Sequence, residues 1–234
     1  MNIETATALV TGANRGLGAA FCRALIERGA TVHAGARDPT SVATDGVHPL
    51  RLDITDPGDV AHAAAACADV SLLINNAGTL TPGSLITDGT IDAGRRDIET
   101  NVFGTAAMSH AFAPVLAGNG GGVIVNVLSV LAWYANPASA IYCASKAAAW
   151  SLTNSLRQDL AGQGTQVVAL HVGLMDTDMA GRLDAPKSSP DDIANLTLDA
   201  VEAGAVEVLA DEPSRRVKAA LCADVTALYP NLAG

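Results

Sequence analysis

At 234 residues and 49% hydrophobic, the chain can bury a sizeable core and fits one α/β domain over 1–234, which excludes a disordered chain. Its formal net charge is −10 and its basic residues are scattered. That balance excludes the basic footprint of a nucleic-acid binder and disfavours anionic membranes.

The N-terminus, Met1-Asn2-Ile3-Glu4-Thr5, carries no basic segment and runs straight into a β-prone stretch, so no signal peptide is expected. Thr5 to Val10 is predicted as the first strand. It feeds Thr11-Gly12-Ala13-Asn14-Arg15-Gly16-Leu17-Gly18 and an amphipathic helix from Leu17 to Arg28, closed by Gly29. Strand, glycine turn and helix make the first part of a dinucleotide site. Gly12 allows a tight turn, Gly16 lets the backbone approach a pyrophosphate, and Gly18 lets helix and sheet pack closely. The helix N-terminus then faces the phosphates. The spacing is Gly-x-x-x-Gly-x-Gly, not the commonest Gly-x-Gly-x-x-Gly fingerprint.

A second strand, Thr31 to Gly35, ends at Ala36-Arg37-Asp38-Pro39, and a third, Val47 to Leu52, ends at Asp53-Ile54-Thr55. Asp56 caps and Pro57 opens an Ala-rich helix to about Cys67. Val70 to Ile74 is apolar throughout, as a parallel strand buried on both faces should be, and ends in Asn75-Asn76-Ala77-Gly78. A long helix is predicted from Asp97 to Leu116, with Asn101 in its first two turns. Val123 to Leu128 forms a fifth strand ending at Ser129. A sixth, Gln166 to Val172, leads into Gly173-Leu174-Met175-Asp176-Thr177. Pro190-Asp191-Asp192 opens another helix, Val206 to Ala210 gives a seventh strand, and a tail runs from Glu212 to Gly234. Such alternation implies a doubly wound parallel sheet whose ligands bind at the carboxyl ends of the strands. Every polar or glycine cluster named above lies at such an end.

Cys22, Cys67, Cys143 and Cys222 form no Cys-x-x-Cys pair, so neither a zinc site nor a disulfide framework is suggested. The apolar run from Gly122 to Ala135 is shorter than the roughly 20 residues that span a bilayer. A cytoplasmic protein without metal is expected.

The chemistry centres on Ala140-Ile141-Tyr142-Cys143-Ala144-Ser145-Lys146. If this run is helical, Tyr142 and Lys146 share a face, and the ammonium should lower the phenol below its usual value of about 10. A phenol tuned in this way suits proton exchange with an alcohol or carbonyl. The loop broken by Asn136-Pro137 can return Ser129 to the same place.

Taken together, Thr11-Gly12-x-x-x-Gly16-x-Gly18, Asn75-Asn76-Ala77-Gly78, Asn101, Ser129, Tyr142-x-x-x-Lys146 and Gly173-x-x-x-Thr177 resemble the short-chain dehydrogenase/reductase family in order and spacing. The resemblance runs from Thr5 to about Asp211. It implies a seven-stranded Rossmann-type sheet and a tetrad of Asn101, Ser129, Tyr142 and Lys146. Tyr142 would exchange a proton with the substrate oxygen as the nicotinamide exchanges hydride. Lys146 would tune Tyr142 and hold the ribose hydroxyls, Ser129 would bond the substrate oxygen, and Asn101 would hold a relay water.

The same resemblance places the cofactor on the turn residues Gly12, Asn14, Arg15, Gly16, Leu17 and Gly18. It adds Asp53 and Ile54 on the adenine, Asn76-Ala77-Gly78 on the adenosine side, and Gly173, Met175 and Thr177 at the carboxamide. The chain departs from the family pattern at three points. Val172 stands where proline is usual, Ser71 replaces an aspartate, and about twenty residues follow the seventh strand, to cover the active site or a subunit contact.

At the end of the second strand Ala36 replaces the acidic residue that grips a ribose 2′-hydroxyl, and Arg37 and Arg15 stand near it, so NADP(H) is expected over NAD(H). Asp38 argues the other way. Leu131, Trp133, Tyr134, Leu174 and Met179 would line an apolar substrate pocket without a cluster of Arg or Lys, which favours a small neutral ketone, aldehyde or secondary alcohol. A non-catalytic nucleotide sensor, and an epimerase or dehydratase with the same cofactor, are the competing functions. By analogy with the family, the chain should form a homodimer or homotetramer.

Overall fold

A computed structural model describes residues 1–178 and 184–232. Seven parallel strands form one sheet: β1 (Thr7–Thr11), β2 (Thr31–Ala36), β3 (His48–Arg51), β4 (Leu72–Asn75), β5 (Val123–Val127), β6 (Gln166–His171) and β7 (Glu207–Leu209). Their spatial order, β3-β2-β1-β4-β5-β6-β7, reverses direction between β1 and β4, the switch point at which ligands of such sheets bind. The fold is the Rossmann-type doubly wound sheet that the alternation predicts.

Helices α1 (Gly16–Glu27) and α6 (Pro190–Glu202) pack together on one face of the sheet. Phe21 and Leu25 of α1 and Leu198 and Val201 of α6 share a core with Ala8, Val10 and Val125 of the strands. On the other face, α2 (Pro57–Ala66) packs against α4 (Thr105–Gly118), whose Met108, Phe112 and Leu116 meet Leu9, Leu73 and Ile124. Strand residues that point up and down are therefore both buried, which accounts for the unbroken apolar runs.

The helix predicted from Asp97 is longer and less regular than expected. It begins as α3 (Thr90–Ile98), passes through a π-helical turn at Glu99–Gly104, and continues as α4. A Cβ on Gly104 would come within 2.7 Å of the Ile54 side chain, and one on Gly94 within 2.6 Å of Ile141. Tight approach of α3 to α5 (Ala140–Asp159) and of the π turn to the end of β3 thus shapes this stretch. Helix α7 (Glu212–Ala220) follows β7 and is capped by Asp211, which accepts a bond from Ser214 N–H. No helix among the described residues is long and apolar enough to cross a membrane.

Candidate active site

At the carboxyl end of β1 the chain turns at Gly12 (φ +64°) and Gly16 (φ +52°), values that favour glycine. A Cβ on Gly18 would lie 2.1 Å from the Gly12 carbonyl oxygen, so α1 packs against the turn only because that side chain is absent. Thr11 Oγ1 accepts from the N–H groups of Asn76 and Ala77, both at 3.0 Å. Asn76 Nδ2 donates to the carbonyls of Thr11 and Gly12 at 2.9 and 3.1 Å. These bonds tie the ends of β1 and β4 into one rigid lip. Asn75 instead points inward and donates to Ser109 and Asn126. Helix α1 starts at Arg15 with no side-chain cap, which leaves its first N–H groups for an anion.

The lip opens on a cavity of about 2520 Å³, several times the roughly 300–1,000 Å³ of a drug-sized ligand site. Its walls include Gly12, Asn14, Arg15, Gly16 and Leu17, then Asp53 and Ile54, then Asn76, Ala77 and Gly78, and across the mouth Gly173, Met175 and Thr177. Gly18 lies behind this wall, in packing.

At the end of β2, Arg37 is exposed, lines the cavity and makes no hydrogen bond or ion pair among the described residues. Arg15 instead meets Asp178 at 3.3 Å, both side chains being exposed. Asp38 caps a short 3₁₀ turn: its Oδ1 accepts from Thr40 N–H at 3.0 Å and Thr40 Oγ1 at 2.6 Å, which holds its carboxyl below the usual range. Burial raises the carboxyl of Asp53, but its bonds from Thr55 and the charges of Arg37 and Arg51 outweigh this and leave it lowered.

Helix α5 presents Tyr142 and Lys146 on one buried face, both lining the cavity, with Lys146 Nζ 5.8 Å from the phenol ring centre. Ser129 follows β5 and starts a 3₁₀ turn, its Oγ accepting from Leu131 N–H at 3.1 Å. Electrostatics reverse the expected tuning. Burial pushes the Tyr142 phenol up to about 12, against the pull of the Ser129 hydroxyl, and pushes the Lys146 ammonium down to about 8, against the attraction of Asp97. Sequence spacing supplies the separation of the two groups but not their desolvation, and here desolvation wins. Lys146 Nζ donates to the Val127 carbonyl at 2.9 Å.

Asn101 lies behind the cavity wall in the π turn. Its Oδ1 accepts from Thr79 N–H at 2.9 Å, and its Nδ2 donates to the Thr79 carbonyl and to Ser145 Oγ, each at 2.9 Å. Each polar atom of the side chain is thereby engaged, and Oδ1, which accepts one bond, keeps a second acceptor site. The buried Asp97 accepts from Thr79 and Thr81 and fixes the same loop.

Leu131, Tyr134 and Leu174 line the cavity as expected, whereas Trp133 does not: it is buried against His171, Trp150 and Lys218. Met179 lies outside the described residues. The tail supplies a wall that motif spacing could not locate. Ala227, Leu228 and Pro230 line the cavity, and Tyr229 stacks on Tyr134 with ring centres 5.2 Å apart while its hydroxyl accepts from Ala135 N–H at 2.8 Å. Cations also join the lining: Arg216 from α7, Arg95 and Arg96 from α3, and Lys187. The sequence keeps these far from the apolar residues, so their arrival at the cavity was not legible; the only signal for the tail was its amphipathic pattern around Val217 and Leu221.

A family model described as short chain dehydrogenase matches residues 6–188. The chain belongs to the short-chain dehydrogenase family and is an oxidoreductase of that family. It is similar over its whole length, with 40% identity and a TM-score of 0.94, to a short chain dehydrogenase from Burkholderia cenocepacia whose crystal structure, wholly covered, is in complex with NADP. A short chain dehydrogenase/reductase from Burkholderia phymatum, solved in complex with NAD, is 26% identical with a TM-score of 0.82, over 94% of this chain and 93% of that one. An uncharacterised oxidoreductase of Staphylococcus aureus is 30% identical over 208 residues, which span 83% of this chain and 90% of the relative.

Proposed function

We propose that the chain transfers hydride between NADP(H) and a small neutral ketone, aldehyde or secondary alcohol, with Tyr142 as general acid and base. The observation that carries this reading is that Tyr142, Ser129 and Lys146 line the same cavity as the glycine turn. The cradle at Gly12 and Gly16, which side chains would fill, and the uncapped start of α1 suit a pyrophosphate. When bound there, the nicotinamide supplies or accepts the hydride.

The protein's own groups manage the proton. Tyr142, raised to about 12, is protonated at neutral pH and ready to donate to a substrate oxygen. Ser129 Oγ already accepts a backbone bond, which leaves its own proton to donate to the same oxygen. Lys146, at about 8, is mostly cationic at neutral pH and is anchored by the Val127 carbonyl, in position to meet the ribose hydroxyls. Asn101 positions the Thr79 loop against α5.

Three observations favour the phosphorylated cofactor. Ala36 offers no acceptor to a 2′-hydroxyl, Arg37 has no competing partner among the described residues, and Asp38 is occupied by Thr40. The NADP complex of the similar Burkholderia cenocepacia protein supports the same choice. The apolar lining at Leu131, Leu174 and Leu228 supports a neutral substrate. A panel of neutral ketones, aldehydes and keto acids with NADPH, followed by nicotinamide absorbance, tests the reading. Turnover of keto acids alone would overturn it and shift recognition to Arg216. A homodimer or homotetramer through α4 and α5 is also proposed, supported by the exposed small residues Ala144, Ala148, Ser151 and Ser155 along α5. Sedimentation showing only a 23.7 kDa species at micromolar concentration would refute it.

A further inference from the structure

One buried polar side chain beside the site belongs to none of the motifs. His171, at the end of β6, is wholly inaccessible to solvent, and its Nε2 has no hydrogen-bond partner among the described residues. An aliphatic residue of similar volume would avoid that cost. Among the described residues the imidazole makes one hydrogen bond, from Nδ1 to the carbonyl oxygen of Ser129, at 3.2 Å. A carbonyl only accepts, so Nδ1 carries a proton, and with the ring kept neutral by burial the lone pair sits on Nε2. Burial pushes His171 down to about 4.

The ring is held so that this bond cannot wander. It stacks on the Trp133 indole with ring centres 3.6 Å apart and planes 18° apart, and Lys218 Nζ sits 4.7 Å from the Trp133 ring centre. Lys218 in turn bonds Glu207 at 2.9 Å, and that carboxylate stands 4.0 Å from His171 Nε2. Strand β7 and helix α7 thus brace an imidazole that hydrogen-bonds the backbone of Ser129. Ser129 is held through its carbonyl by His171 and Ala132 N–H and through Oγ by Leu131 N–H.

We infer that His171 is a positioning residue for Ser129, holding the serine turn so that the hydroxyl proton points at the substrate oxygen beside Tyr142. This inference rests on the reading of Ser129 as the donor to that oxygen. Without the imidazole the turn keeps its Ala132 N–H to Ser129 carbonyl bond and its fold, but the hydroxyl loses its fixed direction.

The test is a double-mutant cycle on kcat with NADPH and any ketone the enzyme turns over. His171→Leu should lower kcat about tenfold, leave NADPH affinity by fluorescence within about twofold, and cause no further loss in a Ser129→Ala background. Losses that multiply in that background, or an equal fall in cofactor affinity, would overturn the inference and show a structural role only. A wild-type kcat in His171→Leu would overturn it equally. If Ser129→Ala alone keeps wild-type kcat, the proposed role of Ser129 fails first, and the inference falls with it. Should His171→Leu not fold, His171→Asn and His171→Gln decide. Asn carries its amide at the same bond distance from Cα as Nδ1, and Gln at that of Nε2, so Asn should exceed Gln in kcat by about tenfold; equal values would overturn the inference.

Discussion

The half of the site that follows β1, β2 and β4 is made of backbone, whereas the half that follows β5 and β6 is made of side chains. In the first half, glycines, a helix terminus and a Thr11–Asn76 clasp form a cradle from residues at most 66 positions apart. In the second half, Ser129, Tyr142 and Lys146 are buried, and Ser129 is held by His171, a residue of another strand. A backbone cradle tolerates change in the side chains around it. A buried side-chain constellation transmits each change, because desolvation sets the charge state of every member.

The contrast predicts that the largest loss comes from one atom in the second half. Tyr142→Phe removes the acid and keeps the ring, so kcat should fall by about a hundredfold or more, within the range for general acid catalysis. Cofactor affinity should hold, since the cradle is untouched. A variant that retains a tenth of the activity would show that the proton comes from elsewhere.

In the first half, the side chain with a predicted role of its own is Arg37. Arg37→Ala should weaken NADP(H) binding by roughly 1.5–3 kcal/mol, the range for a hydrogen bond to a charged group, and barely change NAD(H). Binding titrations with both cofactors check this. Equal losses would mean that the 2′-contact lies at Asp38 after all, despite its bonds to Thr40.

How far the sequence revealed each half follows the same division. Gly12, Gly16, Asn76, Ser129, Tyr142 and Lys146 were legible because strand ends and a helical repeat fix them locally. The start of α3 at Thr90 was not: Gly94 of that helix packs against Ile141 of α5, a contact set by the fold. The π turn depends on Ile54 packing against Gly104, a contact 50 positions away. Trp133, expected among the apolar pocket residues, packs away from the cavity because its stacking partner His171 lies on β6. The sign of the Tyr142 shift failed for the same reason, as burial is a property of the whole fold.

Acid should expose the difference as well. His171 is lowered in the folded protein to about 4 from 6.5, so between those values the unfolded chain binds a proton that the folded one refuses. Its contribution to stability is therefore complete above about 6.5 and is lost as pH falls toward 4, at no more than about 1.4 kcal/mol per pH unit. Denaturant titrations from pH 7 to 4.5 should show this slope, and His171→Leu should flatten it. The half-buried His33 of β2 is lowered too, by burial against the pull of Asp69, and leaves a residual slope in the variant. An unchanged slope in His171→Leu would place the acid sensitivity outside the serine turn.

The smallest effect is expected at the tail, where the comparison is sharpest. Tyr229 belongs to neither the cradle nor the catalytic group, yet it stacks on Tyr134 and accepts the Ala135 N–H, so it fixes the wall that follows the serine turn. An aromatic pair and a neutral hydrogen bond each contribute about 0.5–1.5 kcal/mol. Tyr229→Ala should then raise KM for the ketone severalfold, admit bulkier ketones, and leave both NADP(H) affinity and the pH at which kcat changes where they were. Tyr229→Phe keeps the stack and loses only the acceptor, so its KM should fall between the two. If Tyr229→Ala leaves KM and substrate size preference unchanged, the tail packs beside the cavity without bounding it, and Leu131, Tyr134 and Leu174 must set the pocket alone.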